Sequence, residues 1–395
     1  MSDAFERRVV ISGIGESALG RRLHRDDVDL TVESCLAAIA DAGLERSDID
    51  GLASFPSAAN PLIRPVTGPS LWEIQDTLRL ELRWYTAGLE VSAQLAAIVN
   101  ASMAVATGLA RHVLVFRTVT EGTAQAGGGR RGVEIPPGAV GGANQWLLPF
   151  DCVSGANRLA LYAQRHFHDF GTTREQLGQV ALNGRRNAAL NPKAVYREPL
   201  TMEEYLGGRM VSSPLCLFDC DVPMDGSTAF VVSPIEYAKD ARAAPIRVEA
   251  VGLALRGRGR WEQWEDLTTM AAHHAAAHLW SRTDLRPKDV DVAELYDGFS
   301  IITLNWLEAL GFCARGESGP FVEGGERIAL RGELPLNTNG GQLSAGRMHG
   351  FGLLYEACLQ LRGDGAERQV PGANVAVVAN GGGPLAGCLL LRRDR

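Results

Sequence analysis

The sequence predicts an α/β protein built from two copies of a strand-helix-strand-helix-strand unit. Two observations favour this. Short apolar runs typical of buried strands alternate along the chain with longer helical patterns. The order of these elements is then repeated, so that ERSDIDGLASF (45–55) in the first half has a counterpart in RPKDVDVAELYDGFS (286–300) in the second. Strands that alternate with helices form sheets whose faces are covered by those helices.

Each half contains the elements that this architecture needs. Gly43 lies near the end of one helical pattern, and Gly108 comes directly after another. Both glycines are stop signals for these helices. In the first half we predict a strand at 7–15, a helix at 30–44, a helix at 91–107 and a strand at 112–118. In the second half we predict a strand at 246–255, a helix at 265–283, a helix at 351–363, a strand at 374–383 and a closing strand at 385–393.

The repeat suggests three parts. Residues 1–118 form an N-terminal half, 246–395 form a C-terminal half, and 119–245 are an insertion between them. The insertion holds a glycine-rich stretch at 122–145 and helical patterns around 154–190. Because binding residues concentrate on loops carried by a rigid scaffold, we expect the insertion to recognise substrate.

Composition excludes several functional classes. Hydrophobic residues make up 46% and charged residues 22% of the 395, with a net charge of -7, as in an ordinary globular protein. No basic patch indicates a nucleic-acid partner, and no apolar run is long enough to span a bilayer. The N-terminus shows no signal-peptide pattern, so we expect a cytoplasmic protein.

Metal ligands do not form a recognisable set. The seven cysteines are scattered, and the C-x3-C pair Cys216 and Cys220 lacks a second pair to complete a zinc site. His274 and His278 are four residues apart on one predicted helix face, but no third ligand accompanies them. We therefore predict no metal site, and a solvated or interface helix for the histidines.

Three segments resemble the thiolase superfamily, and among its members the sterol-carrier-protein or lipid-transfer type. They are GGQLSAGRMHG (340–350), CDVPMDGSTAFVVS (220–233) and NGGGPLAGCLLL (380–391). The resemblance covers nearly the whole chain. It implies a thiolase-like α-β-α-β-α layered core, a pocket for an acyl-CoA thioester, and no cofactor in this chain because CoA arrives as part of the substrate.

The four catalytic positions of a thiolase are all changed. Matched by motif, Val91 or Ser92 stands at the nucleophilic cysteine, Tyr296 at the asparagine, Arg347 at the histidine and Asn380 at the second cysteine. Valine has no nucleophilic atom, and no motif supplies a base for Ser92, so acyl transfer through a thioester intermediate is not expected.

An enolate can also be formed by breaking a carbon–carbon bond, without a covalent intermediate. Retro-aldol cleavage of a β-hydroxyacyl-CoA needs a base, an acid and an oxyanion site. The resemblance is to the aldolases that shorten steroid side chains, and these carry Tyr at the position of Tyr296. They have a second Tyr where this chain has Arg347, so we predict His349 as its substitute, with Tyr355 as a weaker candidate. A nearby cation lowers the pKa of a tyrosine, and Arg347 is the candidate for that cation.

The substrate is expected to lie against the glycine-rich turns. Backbone N–H groups of Gly340, Gly341, Gly381 and Gly382 are candidate oxyanion donors, and Asn380 and Ser92 are further candidate contacts. The resemblance also implies a homodimer and a small OB-fold, zinc-ribbon partner protein, together a heterotetramer. The alternative is a catalytically degenerate acyl-CoA-binding or scaffolding subunit. Tyr296, Arg347 and His349 are chemically capable groups, which favours the enzyme.

Overall fold

A mixed sheet of nine strands runs through both halves of the chain. The structure is a computed structural model, and it describes residues 4–55, 64–88, 95–126, 141–142, 144–152 and 154–394. The first half contributes β1 (Val9–Glu16), α1 (Asp27–Ala42), β2 (Gly51–Ser54), α2 (Arg64–Thr67), α3 (Leu71–Leu78), β3 (Trp84–Ala87), α4 (Leu95–Ala106) and β4 (Val113–Thr120).

The middle of the chain is mainly helical. It contributes α5 (Glu121–Ala124), α6 (Asn144–Leu147), α7 (Gly155–Phe170), α8 (Arg174–Ala189), α9 (Met202–Leu206), β5 (Met210–Ser212), β6 (Leu215–Cys216) and β7 (Asp225–Pro234). Helices α7 and α8 begin at Ser154 and Thr173, whose hydroxyl oxygens accept hydrogen bonds from the backbone N–H three residues on. These two helices confirm the helical patterns predicted around 154–190.

The second half repeats the plan of the first. It contributes β8 (Ile246–Leu255), α10 (Ala271–Trp280), β9 (Val292–Glu294), α11 (Ser300–Ala309), α12 (Ser318–Val322), α13 (Gly341–Ser344), α14 (Phe351–Arg362), β10 (Val375–Gly381) and β11 (Leu385–Arg393). Helices α1 and α14 end at Gly43 and Gly363, which adopt left-handed φ angles of 78° and 88°. Helix α4 falls within the predicted 91–107, of which residues 91–94 lie outside the described chain.

The order of the strands confirms the duplication. The sheet runs β3-β2-β4-β7-β1-β8-β11-β10-β9, so β2-β4-β7-β1 is repeated in mirror order as β8-β11-β10-β9. The pairs β2/β4 and β9/β10 are parallel, and β4/β7 and β10/β11 are antiparallel. The two halves meet where Val10 and Ile11 of β1 pair with Arg247 and Ile246 of β8.

One strand of this repeat lies inside the predicted insertion. Residues 119–245 include β7, which is buried along nine of its ten residues between β4 and β1. It is the counterpart of β11, so the sheet of the first half is completed only after the helical excursion. The motif at 220–233 therefore belongs partly to the sheet and not to a separate recognition region.

Three apolar clusters define the layers. Helices α4 and α14 pack together between the two half-sheets, in a cluster that includes Val113, Phe230, Phe351 and Val378. Helix α1 covers the outer face of the first half-sheet, and α10 and α11 cover that of the second. The order α-β-α-β-α is the layered core that the sequence predicts.

Phe351, fully buried at the start of α14, joins this central layer to β7 through an edge-to-face contact with Phe230, with ring centroids 5.5 Å apart. We predict that Phe351→Ala lowers the free energy of unfolding by about 3–5 kcal/mol, because it opens a cavity between the half-sheets. Urea unfolding measures this. Leu36→Ala, at a side chain that is 42% exposed on α1, is the control and should change stability by less than about 1 kcal/mol. Equal effects of the two changes would contradict the layered packing.

Candidate active site

The loop after β9 and the glycine-rich turn before α14 are fastened together by one asparagine. The Asn337 side chain accepts a hydrogen bond from the Leu295 N–H at 2.7 Å and donates one to the Leu295 carbonyl at 2.9 Å. Asn339 Oδ1 in turn accepts from the Gly341 N–H at 2.7 Å. Both asparagines hold the turn by side-chain hydrogen bonds, which fixes the position of Tyr296, the residue after Leu295, relative to this turn.

Asp297 braces the same turn from the other side. Its Oδ1 accepts the Gln342 N–H at 2.9 Å and its Oδ2 accepts the Leu343 N–H at 3.4 Å, at the first turn of α13. A Cβ atom on Gly341, whose φ is 61°, would lie 1.9 Å from Asp297 Oδ2. Burial raises the pKa of Asp297 to about 7, although the two backbone N–H groups oppose the shift. Only glycine fits at position 341.

Arg347 lies in a buried ion-pair cluster. Its Nε and Nη2 donate to Glu121 at 3.0 and 2.7 Å, and its Nη1 donates to Asp221 Oδ1 at 3.0 Å. Burial opposes the charge on Arg347, but the two carboxylates outweigh it and raise the pKa of Arg347. Burial also acts to raise the pKa of Glu121, yet Arg347 and His349 bring it down to about 2. One guanidinium is thus held between two carboxylates.

His349 stands between Arg117 and Glu121. Arg117 Nη2 lies 3.0 Å from His349 Nδ1, and a guanidinium has no acceptor, so Nδ1 must be the unprotonated nitrogen. The proton then resides on Nε2, which lies 3.4 Å from Glu121 Oε2. Burial first, and the charge of Arg117 second, lower the pKa of His349 to about 4. At neutral pH His349 is therefore a neutral imidazole with both nitrogens turned to charged neighbours.

Tyr296 is brought to this cluster but is not converted to a phenolate by it. Burial raises the pKa of Tyr296 above its ordinary value, Asp221 adds to the rise, and Arg347 and Gln342 oppose it. Arg347 acts to lower this pKa, as the sequence analysis expects, but the pKa is raised in sum because burial and Asp221 outweigh Arg347. The side-chain amide of Gln342, which is 3% exposed, faces Tyr296. Its nitrogen and oxygen make no other hydrogen bond to the described residues.

Three of the four predicted oxyanion donors are already used within their turns. The Gly340 N–H donates to the Asn337 carbonyl at 2.9 Å, and the Gly382 N–H donates to the Leu385 carbonyl at 3.1 Å. The Gly341 N–H is taken by Asn339, as described above. The Gly381 carbonyl accepts from the buried Trp306 indole at 3.0 Å, so this turn serves the packing of the second half. As they stand, the N–H groups of Gly340, Gly341 and Gly382 are not available to an enolate oxygen.

Other predicted residues lie in different places. Asn380 is fully buried and donates through Nδ2 to the His349 carbonyl, so it supports the turn that carries the cluster. Tyr355 lines a cavity of about 120 Å³ together with Glu16 and Lys193. Ser92 and Val91 lie outside the described residues. His274 and His278 are exposed on α10.

No group of three or more His, Cys, Asp or Glu among the described residues is arranged to hold a metal ion. Within the same part of the chain, no helix is long and apolar enough to cross a membrane.

Sequence reasoning missed three charged members of the cluster, Arg117, Glu121 and Asp221. A signal was present for the first two, because Arg117 is a charge inside the apolar run HVLVFRT and Glu121 follows four residues later. Asp221 lies in the motif CDVPMDG, where no local pattern distinguishes it from Asp225. Asp225 instead holds the Leu23 and Thr123 backbone N–H groups at 2.7 and 2.9 Å.

We predict that Gly341→Ala destabilises the protein by about 3 kcal/mol or more. The added methyl group would collide with Asp297, and the alanine backbone would have to keep a left-handed φ. The matched control is Gly171→Ala at the end of α7, where φ is 73° and no atom lies within 4 Å of the added Cβ. This control should cost about 1–2 kcal/mol, from the φ angle alone. Thermal or urea unfolding that ranks the two equally would contradict the brace.

A second prediction concerns acid. The folded-state pKa of His349, about 4, lies below the ordinary value near 6.5, so the unfolded chain binds this proton first. Stability should therefore fall as pH drops from about 6.5 to about 4. His349→Gln should reduce that slope by about one proton, at most about 1.4 kcal/mol per pH unit. Urea unfolding at several pH values measures the slope, and exposed His274→Gln is the control. An unchanged slope in His349→Gln would refute the buried neutral imidazole.

Comparison with known proteins agrees with this fold. A family model described as thiolase C-terminal domain-like matches residues 254–389. The chain is 35% identical to a steroid side-chain-cleaving aldolase of Thermomonospora curvata, over 98% of each chain. It is 32% identical to the 17-hydroxy-3-oxo-4-pregnene-20-carboxyl-CoA lyase of Mycobacterium tuberculosis, over 97% of this chain and 99% of the lyase.

Solved structures of related proteins have the same fold as this chain. The Ltp2-ChsH2(DUF35) aldolase superposes with a TM-score of 0.88 at 33% identity, over 99% of both chains. Human mitochondrial 3-ketoacyl-CoA thiolase, at 14% identity and a TM-score of 0.70, shares the fold. The chain therefore belongs to the thiolase superfamily, among its thiolase-like carbon–carbon lyases of the lipid-transfer type.

Proposed function

We propose that this protein cleaves a carbon–carbon bond of a β-hydroxyacyl-CoA by a retro-aldol reaction. The products are a ketone or aldehyde and a shortened acyl-CoA, and no cysteine nucleophile takes part. The observation that carries the proposal is the protonated Tyr296 beside an arginine that two carboxylates neutralise. Such a site suits proton donation to an enolate and does not suit acyl transfer.

Tyr296 has the role of the acid. When the bond between the α and β carbons breaks, its electron pair moves onto the thioester as an enolate, and the α carbon must then receive a proton. A tyrosine that keeps its proton at neutral pH can supply it. Gln342, which faces the hydroxyl, orients that proton. Arg347 and His349 act on the position and the field of Tyr296, since each is engaged with carboxylates inside the cluster.

The substrate class follows the relatives. Two of them are named for steroid side-chain cleavage and for a pregnene-carboxyl-CoA, and each aligns with nearly the whole of this chain. We propose a bulky, steroid-like group on the β carbon. The CoA thioester is the substrate itself, and the mechanism requires no other cofactor.

We also propose an assembly. The structural relative is named as a complex with a DUF35 protein, which supports a small OB-fold, zinc-ribbon partner for this chain. A homodimer that binds two such partners would make a heterotetramer. Mass measurement of the chain after co-expression with a DUF35 protein would test this stoichiometry.

The activity is tested with the pure protein, with and without that partner, and a tertiary β-hydroxyacyl-CoA that bears a bulky ring. Mass spectrometry should detect the shortened acyl-CoA and the ketone in equal amounts with no free CoA added. Cleavage of a β-ketoacyl-CoA with added free CoA, and not of the β-hydroxyacyl-CoA, would indicate thiolysis and contradict the proposal. Binding of the ligand without any product would support the scaffolding alternative.

Tyr296→Phe should lower kcat by about 10²–10⁴-fold, because the phenyl ring has no proton to donate. The Kd for the acyl-CoA should stay within a few-fold, since the change removes one oxygen atom. Tyr85→Phe, at a residue 70% exposed on β3, is the control and should be fully active. Wild-type turnover in Tyr296→Phe would remove this residue from the mechanism.

A further inference from the structure

The retro-aldol reaction proposed above needs a base as well as an acid. The base takes the proton of the β-hydroxyl group while the acid returns a proton to the α carbon. Tyr296 holds its own proton and fills the second role. Arg347 has no basic atom at neutral pH. The base must be sought among the other polar side chains of the cluster, which are His349, Glu121, Asp297 and Asp221.

His349 and Glu121 are poorly suited. The lone pair on His349 Nδ1 already accepts from Arg117, and its Nε2 carries the proton. Glu121 presents both carboxylate oxygens to Arg347, at 3.0 and 2.7 Å, and one of them also faces His349. A carboxylate held in this bidentate way is the most stable charge of the cluster and the weakest base.

Asp297 is committed to the backbone. Its two oxygens each accept an N–H group at the start of α13, and Gly341 packs directly against Oδ2. It is 1% exposed. A substrate hydroxyl could reach Asp297 only if this turn opened. Its carboxylate therefore holds the turn and does not meet the reacting atoms.

Asp221 lies between the two turns that carry Tyr296 and Arg347. Its Oδ1 lies 3.0 Å from Arg347 Nη1, and its backbone N–H donates to the Gly298 carbonyl, two residues after Tyr296. The next residue, Val222, donates its N–H to the Gln342 carbonyl and accepts the Arg347 N–H, at 2.9 and 2.8 Å. This short segment is thus fixed between the two turns that carry Tyr296 and Arg347. The carboxylate is also the charge that most strongly opposes ionisation of Tyr296.

We propose that Asp221 is the general base that removes the β-hydroxyl proton. The O–H bond breaks as its proton passes to the Asp221 carboxylate, and the alkoxide electrons form the new carbonyl. The bond between the α and β carbons breaks and its electron pair enters the enolate, which takes the proton of Tyr296. Proton return from Asp221 to the Tyr296 phenolate restores both groups, so the cycle needs no other reactant.

The first test compares two carboxylates that both pair with Arg347. Asp221→Asn should lower kcat by about 10²–10⁴-fold with little change in the Kd for the acyl-CoA, because the amide cannot accept the proton. Glu121→Gln removes the other partner of Arg347 and leaves the base in place, so its kcat should fall at least tenfold less. Equal losses in the two variants would indicate that Asp221 only holds Arg347, and would overturn the proposal.

Chemical rescue separates a base from a structural carboxylate. Asp221→Ala leaves room for a small anion. Added formate should raise the kcat of this variant at least tenfold. Formate should not rescue Tyr296→Phe or Glu121→Gln. Absence of rescue in Asp221→Ala, together with a fully active Asp221→Asn, would refute the base while the wild-type activity still stands. A wild-type protein that gives no products would instead refute the retro-aldol function itself.

Discussion

The site depends on one buried guanidinium held by two carboxylates. Arg347 comes from the second half, Glu121 follows β4 of the first half, and Asp221 comes from the segment that leads into β7. The ion pairs therefore join the second half to two segments of the chain that are far apart in sequence. Burying such charges is costly, and removing a single partner leaves the others uncompensated, so the cluster tolerates little change.

Burial, with the negative charge of Asp221 added to it, keeps Tyr296 protonated. Arg347 alone would favour the phenolate, but Asp221 and burial act in the opposite direction and keep the proton on the hydroxyl. The result is an acid next to a carboxylate, which is the pair that a retro-aldol cleavage requires. His349, neutral between Arg117 and Glu121, completes the cluster without adding a charge.

Much of the fold could be predicted from the sequence, because periodicity and stop signals are local. The duplication, the layered core and the helix end at Gly43 follow from such patterns. Strand β7 was harder to place, since it pairs with strands more than 100 residues away in sequence. Alternation within a segment reveals a strand but not which sheet receives it.

The site could be predicted only in part. Motif positions led to Tyr296, Arg347 and His349. The structure gathers the last two with Arg117 and Glu121, and it brings Tyr296 close to Arg347. The partners of Arg347 are 126 and 226 residues away, and no local pattern pairs them with it. The glycine turns were assigned to the substrate because glycine permits close approach. Here Gly341 closely approaches Asp297, and Gly340 closely approaches Ala188 of α8.

The protonation state of Tyr296 is the most direct test of this account. Protein labelled with ¹³C at the tyrosine Cζ contains seven such carbons, and the Tyr296→Phe spectrum identifies the one at this position. Its chemical shift should remain that of a phenol as the pH is raised from 6 to about 10, the ordinary tyrosine pKa. A phenolate shift near neutral pH, absent in Tyr296→Phe, would show that Arg347 prevails over Asp221 and would contradict the assignment of Tyr296 as the acid.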